Sequence, residues 1–407
     1  MNRVVVTGIG IWSCIGQDVQ SVTESLKNGK SGLVFDPAMV EYGLRSGVIG
    51  AVPRPDLKSY LPRRTRQMMS EDSEYAYMAS RQAFEQAGIG GDYLQQNEVG
   101  IIFGNDGNSH QNEYIKIMEQ ERNPMLVGYN ALFRSTTSSV VTNLASIFYL
   151  KGINLCVCSS CSSSIHAIGL ASSLIQLGQQ DMILVGGSCE IRSNNLLKIV
   201  NDTLYNDVSY NDKPTLASRP FDENAVGNIP TGGAAALVLE EYEHAVKRGA
   251  TILAELSGYG FAGAGVIDYH ILNWETELLS MKRALDNAQL SISDISLIHA
   301  RADALPISDQ AEATALSHLC GDIPIPITST DSITGHGSWM AGASRAVYSI
   351  IMMNNNFIAP TINLENPIEE ARNLNIITKT RYTPINAVLL NSIGVGGSGS
   401  ALVLRKI

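Results

Sequence analysis

The sequence predicts an α/β protein of layered build in two related halves, on three observations. Apolar runs of strand length alternate with helical patterns along the chain. Most of these runs lack polar alternation, as in strands covered on both faces. After a point near residue 245 the alternation repeats in similar order and length, which predicts a duplicated unit, residues 1–245 and 246–407, with no low-complexity linker between them.

The elements follow in order. VVVTGIG (4–10) reads as a strand running into a turn, and SEYAYMASRQAFEQAGI (73–89) as a helix. VGIIFGND (99–106), INLCVC (153–158) and DMILVGGSC (181–189) are strands bounded by glycine or polar residues. SSIHAIGLASSLIQLGQQ (163–180) is the helix between the last two and ends at a short polar turn. AAALVLEE (234–241) closes the first set and leads into the helix YEHAVKRG. The second set is TILAELSGYG (251–260), helix TELLSMKRALDNA, strand ISLIHA, helix SDQAEATALSHL, strand IPITST, helix SWMAGASRAVYSIIMMN, and strands AVLLNSIG and SALVLRKI.

The chain has 407 residues, a formal net charge of −10 and six cysteines. The acidic balance argues against nucleic acid as a partner, and no polybasic tail points to a membrane. The start MNRVVVTGIG lacks a secretory pattern, so a cytoplasmic protein with reduced cysteines is expected. A local basic run, PRRTRQ with Arg63, Arg64 and Arg66, is either a landing point for an acidic partner or a solvated helix start.

LCVCSSCSSSIHAIG (155–169) places Cys156, Cys158 and Cys161 within six positions. Cys156 and Cys158 are two apart on a strand and share a face. Without a further cysteine pair they make a poor metal set and read as small buried hydrophobes; neither metal nor cofactor is expected. Cys161 falls at the start of a helix, where unpaired N–H groups and the helix dipole favour thiolate. It is either a nucleophile or a packed helix-start cysteine.

These motifs together resemble the β-ketoacyl–acyl carrier protein synthases, condensing enzymes of the thiolase fold. The resemblance runs over essentially the whole chain: VTGIGIWSCIG, SSCSSSIHAIG, GQQDMILVGGSCE, ASRPFD, ITGHGSWMAGA and LNSIGVGGSGSALVLRKI. It implies a layered αβαβα thiolase-like fold. It also implies a cysteine that accepts an acyl chain from a carrier protein, two histidines that stabilise the enolate of decarboxylated malonyl thioester, a supporting lysine and glutamate, and an oxyanion hole of two backbone N–H groups. Cys161 matches the nucleophile, His336 one histidine and Glu312 the glutamate. Val395 and Gly396 lie in the Gly-x-Gly-Gly turn, with valine where the family commonly has a gating phenylalanine.

The departures are as informative. The family's His-Gly-Thr is here Arg301-Ala302-Asp303, with Pro306, Asp309 and Glu312 setting the register; His299 would serve only after a two-residue shift in the loop. The lysine position holds Asp331. A usual Arg-Asp-Gly-Phe is Ala225-Val226-Gly227-Asn228. Asp331 beside Glu312 would be a buried like-charge pair, so Arg301 is expected to pair with one or both. Acyl loading then survives, and condensation by this chain alone is severely weakened or lost.

The leading expectation is a non-condensing subunit, a chain-length factor that forms a heterodimer with an active ketosynthase and shapes the tunnel for carrier-bound chains, with aryl polyene systems as the nearest type. The acyl carrier protein is expected to dock mainly on the partner. Tyr114, Met118, Met125, Tyr129 and Phe133, in the stretch 105–141, are the candidate tunnel residues, and Trp339 a candidate block of this subunit's own pocket. An active synthase using Cys161 is the alternative, and a metal or redox protein built on the cysteine run the third reading.

Overall fold

A computed structural model describes residues 1–107, 109–191, 208–265 and 273–407. Ten strands among them form one mixed sheet: β1 (Val4–Trp12), β2 (Gly100–Gly104), β3 (Asn154–Val157), β4 (Met182–Cys189), β5 (Gly233–Glu241), β6 (Ala254–Gly263), β7 (Leu297–His299), β8 (Ile327–Thr328), β9 (Ala387–Gly394) and β10 (Ser398–Arg405). Their spatial order is β8-β7-β9-β10-β6-β1-β5-β4-β2-β3. Counted from the start of its own set, each half therefore runs third, second, fourth, fifth, first. In each, the outer three strands are parallel and the remaining pairings antiparallel.

The halves join where β1 pairs with β6, at Val5–Glu255 and Val6–Ala254. A bulge follows between Val6 and Gly8. Beyond it the N–H groups of Ile9 and Ile11 donate to Gln86 Oε1 (2.8 Å) and Gln82 Oε1 (3.1 Å), side chains of helix α1 (Glu71–Gln86). Buried backbone donors are thus satisfied where the neighbouring strand has left. Helix and strand approach this closely because of two glycines. A Cβ at Gly8 would lie 2.0 Å from the Ala83 carbonyl oxygen, and one at Gly10 1.9 Å from that of Ala79.

Four further helices complete the layers: α2 (Ser163–Gln176), α3 (Trp274–Ala288), α4 (Pro306–Cys320) and α5 (Ala341–Asn355). Successive strand residues face opposite ways. Ile102, Val185 and Leu390 enter a central core with Ile165 and Ile168 of α2 and Val347 and Ile351 of α5. Their neighbours Ile101 and Leu184 pack outward against Phe84 of α1, and Leu389 packs outward with Leu285 of α3 and Leu316 of α4. The order is helix, first half of the sheet, helix pair, second half of the sheet, helix, the layered αβαβα arrangement. Among the described residues no helix is long and apolar enough to cross a membrane.

Candidate active site

The candidate residues gather beyond the C-terminal ends of β3, β7, β8 and β9, the end of parallel strands where α/β proteins place ligands. After β3 the chain makes a tight turn built by serines. Ser160 takes a left-handed φ of 50° and its N–H donates to Asp106 Oδ2 at 2.6 Å. Ser163 Oγ accepts from Ser159 N–H and donates to the Ser160 carbonyl. Ser392 Oγ of β9 donates to the Cys161 carbonyl at 2.9 Å. Cys161 is thereby fixed and buried, just before α2, as its place at a helix start predicts.

His336 stands opposite. Its Nε2 lies 3.2 Å from Cys161 Sγ, and its Nδ1 donates to Asp331 Oδ2 at 3.1 Å. Asp303 Oδ2 is 3.6 Å from the same Nδ1. The His336 backbone is clamped by Ile229 and Thr231, the segment that follows Ala225-Val226-Gly227-Asn228. Gly335, at φ 74°, makes the turn, and a Cβ there would come within 2.5 Å of the Ile229 carbonyl oxygen. Asn228 Nδ2 reaches Asp303 at 3.5 Å.

The charges around this pair set its protonation. Burial pushes the Cys161 thiol up, but the His336 charge and hydrogen bond, with Arg301 behind them, bring it below the ordinary thiol value. Burial pushes His336 down, and Cys161, Asp303 and Asp331 outweigh it, raising the imidazole to about 10. Each group thus favours the charged form of the other.

Arg301 does not pair as its sequence context suggested. Its guanidinium donates to Asp303 Oδ2 at 3.0 Å, not to Asp331 or Glu312. Glu312, on α4, accepts the backbone N–H groups of Arg301 (2.7 Å) and Ala302 (2.6 Å), so it holds the main chain. Asp331 faces His336 and Arg345 Nη1 (3.4 Å). Burial disfavours the Asp303 carboxylate, yet Arg301 and then His336 hold it below the usual range. Nε and Nη1 of Arg301 have no hydrogen-bond partner among the described residues. His299 takes no part. It lies in the core at 2.9 Å from both Ser349 Oγ and Thr330 Oγ1, and burial followed by Arg345 lowers it to about 3.

One further expectation, that Cys156 and Cys158 are buried, needs correction. Cys156 and Cys158 do share a side, both reaching the Asn105 carbonyl, but β3 is an edge strand; Cys156 is half-buried and Cys158 exposed. The Val395 N–H is taken by Ser160 Oγ at 3.3 Å, a hydroxyl also 3.8 Å from Cys161 Sγ. Gly396 has φ 83°, which its glycine permits, and the Val395 side chain is exposed. The Trp339 ring lies against Gly107, where a Cβ would meet it at 2.4 Å. Met118, Met125, Tyr129 and Phe133 are exposed and Tyr114 half-buried, so they lie on the surface of the single chain, apart from the buried Cys161 group. Arg63 to Arg66 form a short helix, and Arg63 and Arg66 line a surface hollow of about 490 Å³ with Arg54, Lys58, Asp56 and Glu74, where Glu74 pairs with Arg54 at 2.6 Å and the balance stays basic.

Two participants escaped the sequence. Arg345 is a fully buried cation on α5, visible only as one charge in the apolar run SWMAGASRAVYSIIMM. Asp303 stands two residues from Arg301 in the loop after β7, and its carboxylate meets the guanidinium at 3.0 Å.

Comparison with known proteins gives a consistent picture. Residues 1–245 match the family described as "Beta-ketoacyl synthase, N-terminal domain", and residues 253–365 the "Beta-ketoacyl synthase, C-terminal domain". A 3-oxoacyl-(acyl-carrier-protein) synthase 1 from Haemophilus influenzae is 35% identical over 409 residues, covering 100% of this chain and 99% of its own. The crystal structure of a beta-ketoacyl synthase from Burkholderia phymatum superposes with a TM-score of 0.93 at 30% identity, covering 100% of both chains. The ishigamide ketosynthase/chain length factor superposes with a TM-score of 0.90 at 25% identity, over 100% of this chain and 99% of its own.

Proposed function

The chain belongs to the β-ketoacyl synthase family, and within it we propose a non-condensing subunit that works as a chain-length factor. It keeps an acyl-accepting cysteine, forms a heterodimer with an active ketosynthase and shapes the tunnel for carrier-bound chains. The observation that carries this reading is the buried Arg301–Asp303 ion pair. It fills the place where the resemblance puts a histidine and a threonine, and a guanidinium held by a carboxylate is not free to follow a developing enolate. Loss of one preorganised donor of this kind costs roughly 10²–10³ in rate. The aspartate at 331 in place of lysine compounds the loss.

Two surface features fit a partner. The outer edge of β3 is unpaired among the described residues and exposes Leu155, an edge that proteins otherwise protect. Met118, Met125, Tyr129 and Phe133 add exposed apolar area. The basic hollow at Arg63 and Arg66 suits an acidic carrier protein, docked mainly on the partner. The second reading, an active synthase acting through Cys161, is favoured by the full-length likeness to a 3-oxoacyl-(acyl-carrier-protein) synthase 1 and by the intact Cys161–His336 pair.

The experiment is a condensation assay with acyl- and malonyl-carrier protein. The chain is tested alone, with a co-encoded ketosynthase, and with Cys161→Ala in that mixture. No β-ketoacyl product from the chain alone, and product from the mixture regardless of Cys161, is the expected result. Product from the chain alone, lost with Cys161→Ala, overturns the reading.

A further inference from the structure

Asp331, His336 and Cys161 lie in a line: carboxylate to Nδ1 at 3.1 Å, Nε2 to Sγ at 3.2 Å, all three side chains buried. A carboxylate only accepts hydrogen bonds. With Asp331 and Asp303 both facing Nδ1, that nitrogen carries a proton. A neutral His336 therefore presents a lone pair at Nε2, which makes it a base toward the cysteine and whatever attacks it. A donor for an enolate needs the opposite tautomer. The arrangement matches the nucleophile–imidazole–carboxylate geometry that drives acyl transfer on several unrelated folds.

We infer that Cys161, His336 and Asp331 act as a hydrolytic triad that releases acyl chains from phosphopantetheine thioesters as free carboxylic acids. The inference rests on the reading that this chain loads acyl groups without condensing them. In the first step the Cys161 thiolate adds to the thioester carbonyl. The oxyanion takes up the Val395 N–H, displacing the Ser160 hydroxyl from its long 3.3 Å contact. The C–S bond to phosphopantetheine breaks, and the proton on His336 Nε2 passes to the leaving thiolate. His336 is now neutral, with the Nε2 lone pair on the side of the Cys161 sulfur. In the second step Nε2 takes a proton from water as the hydroxide adds to the acyl carbonyl. The C–Sγ bond breaks, the carboxylic acid leaves and loses its proton to solvent, and the thiolate–imidazolium pair is restored. No oxidant, reductant or further reactant is required.

Asp331 is a positioning residue here, since it acts through His336. Among the titratable and charged groups facing this histidine are Cys161, Asp331 and Asp303, with Arg301 beside Asp303 and Arg345 beside Asp331. The test incubates the full chain with octanoyl-acyl carrier protein in ¹⁸O-water, without malonyl thioester, and detects octanoic acid by mass spectrometry. The expected product carries a single ¹⁸O and is absent with Cys161→Ala. Asp331→Asn, nearly isosteric, should lower acid release by roughly 10²–10⁴-fold, on the scale of the carboxylate loss in a serine triad. It should also move the pH profile of Cys161 alkylation by iodoacetamide upward, a shift that a purely structural role would not produce. No acid above the Cys161→Ala background, or unchanged release and alkylation in Asp331→Asn, overturns the triad while leaving the non-condensing reading intact. A β-ketoacyl product once malonyl-carrier protein is added overturns that reading instead.

Discussion

Replacing Arg301 by methionine removes one half of a fully enclosed ion pair. Arg301 is 4% exposed and Asp303 1% exposed. Without the guanidinium, Asp303 keeps only long contacts: the Leu305 N–H at 3.3 Å, Asn228 at 3.5 Å and His336 at 3.6 Å. Breaking a buried pair by removing one partner costs about 3–5 kcal/mol. Two Arg301 nitrogens are already without partners, and methionine relieves their desolvation, which sets the expectation at the lower end, about 3 kcal/mol. The double variant Arg301→Met, Asp303→Leu leaves no unpaired charge and should recover most of the loss. The assay is urea unfolding of parent, single and double variants at one protein concentration, at pH 7.5 and pH 5. In the parent the Asp303 pKa is depressed, so its contribution is present above the unfolded value and lost in acid. In Arg301→Met burial is opposed less and the pKa rises. The charged form then becomes a penalty that grows with pH, so the gap between parent and variant should be widest at pH 7.5 and narrower at pH 5. A loss under about 1 kcal/mol, or a double variant no more stable than the single, refutes the assignment of Asp303 as the partner of Arg301.

Three further outcomes are expected. Glu277 is buried, with neither carboxylate oxygen partnered among the described residues; burial first and Glu312 next push its pKa well up. Its contribution is full below the unfolded value and lost as pH rises toward the folded one, so Glu277→Gln should raise the melting temperature at pH 8 and leave it nearly unchanged at pH 4. Leu155→Lys on the β3 edge should weaken association with a ketosynthase partner in light-scattering chromatography by tenfold or so, about 1.4 kcal/mol, without altering Cys161 alkylation. Trp339→Ala should clear the space beside Gly107, costing up to about 3 kcal/mol in unfolding experiments while speeding Cys161 acylation by dodecanoyl-carrier protein several-fold over hexanoyl.

Local pattern carried much of this molecule. The serine-rich turn at Cys161, the Thr-Gly-His of His336 and the Gly-Val-Gly-Gly turn sit where their neighbours in sequence put them, because each is a short-range turn with its own hydrogen bonds. The register through Pro306, Asp309 and Glu312 puts Arg301 rather than His299 at the histidine position, and His299 lies in the core. What depended on long-range pairing was not legible. That β3 is an edge strand, and hence that Cys158 is exposed and Cys156 only half-buried, follows from β2 lying between β3 and β4, a choice made far along the chain. The partner of Arg301 was misjudged because three carboxylates are within reach in sequence, and only the folded loop shows that Glu312 holds backbone N–H groups. Arg345 was missed because a single cation in an apolar helix does not announce which acid it meets.

The two copies of the five-strand pattern touch through only two residue pairs of the sheet, yet the reactive centre draws on both. The thiol and its serine turn come from the first copy. Arg301, Asp303, Asp331, His336 and Arg345 all come from the second. The second carries the charges that set the electrostatics, while the thiol and its serine turn stay in the first. A gene of this design can change the reaction it supports and keep its nucleophile.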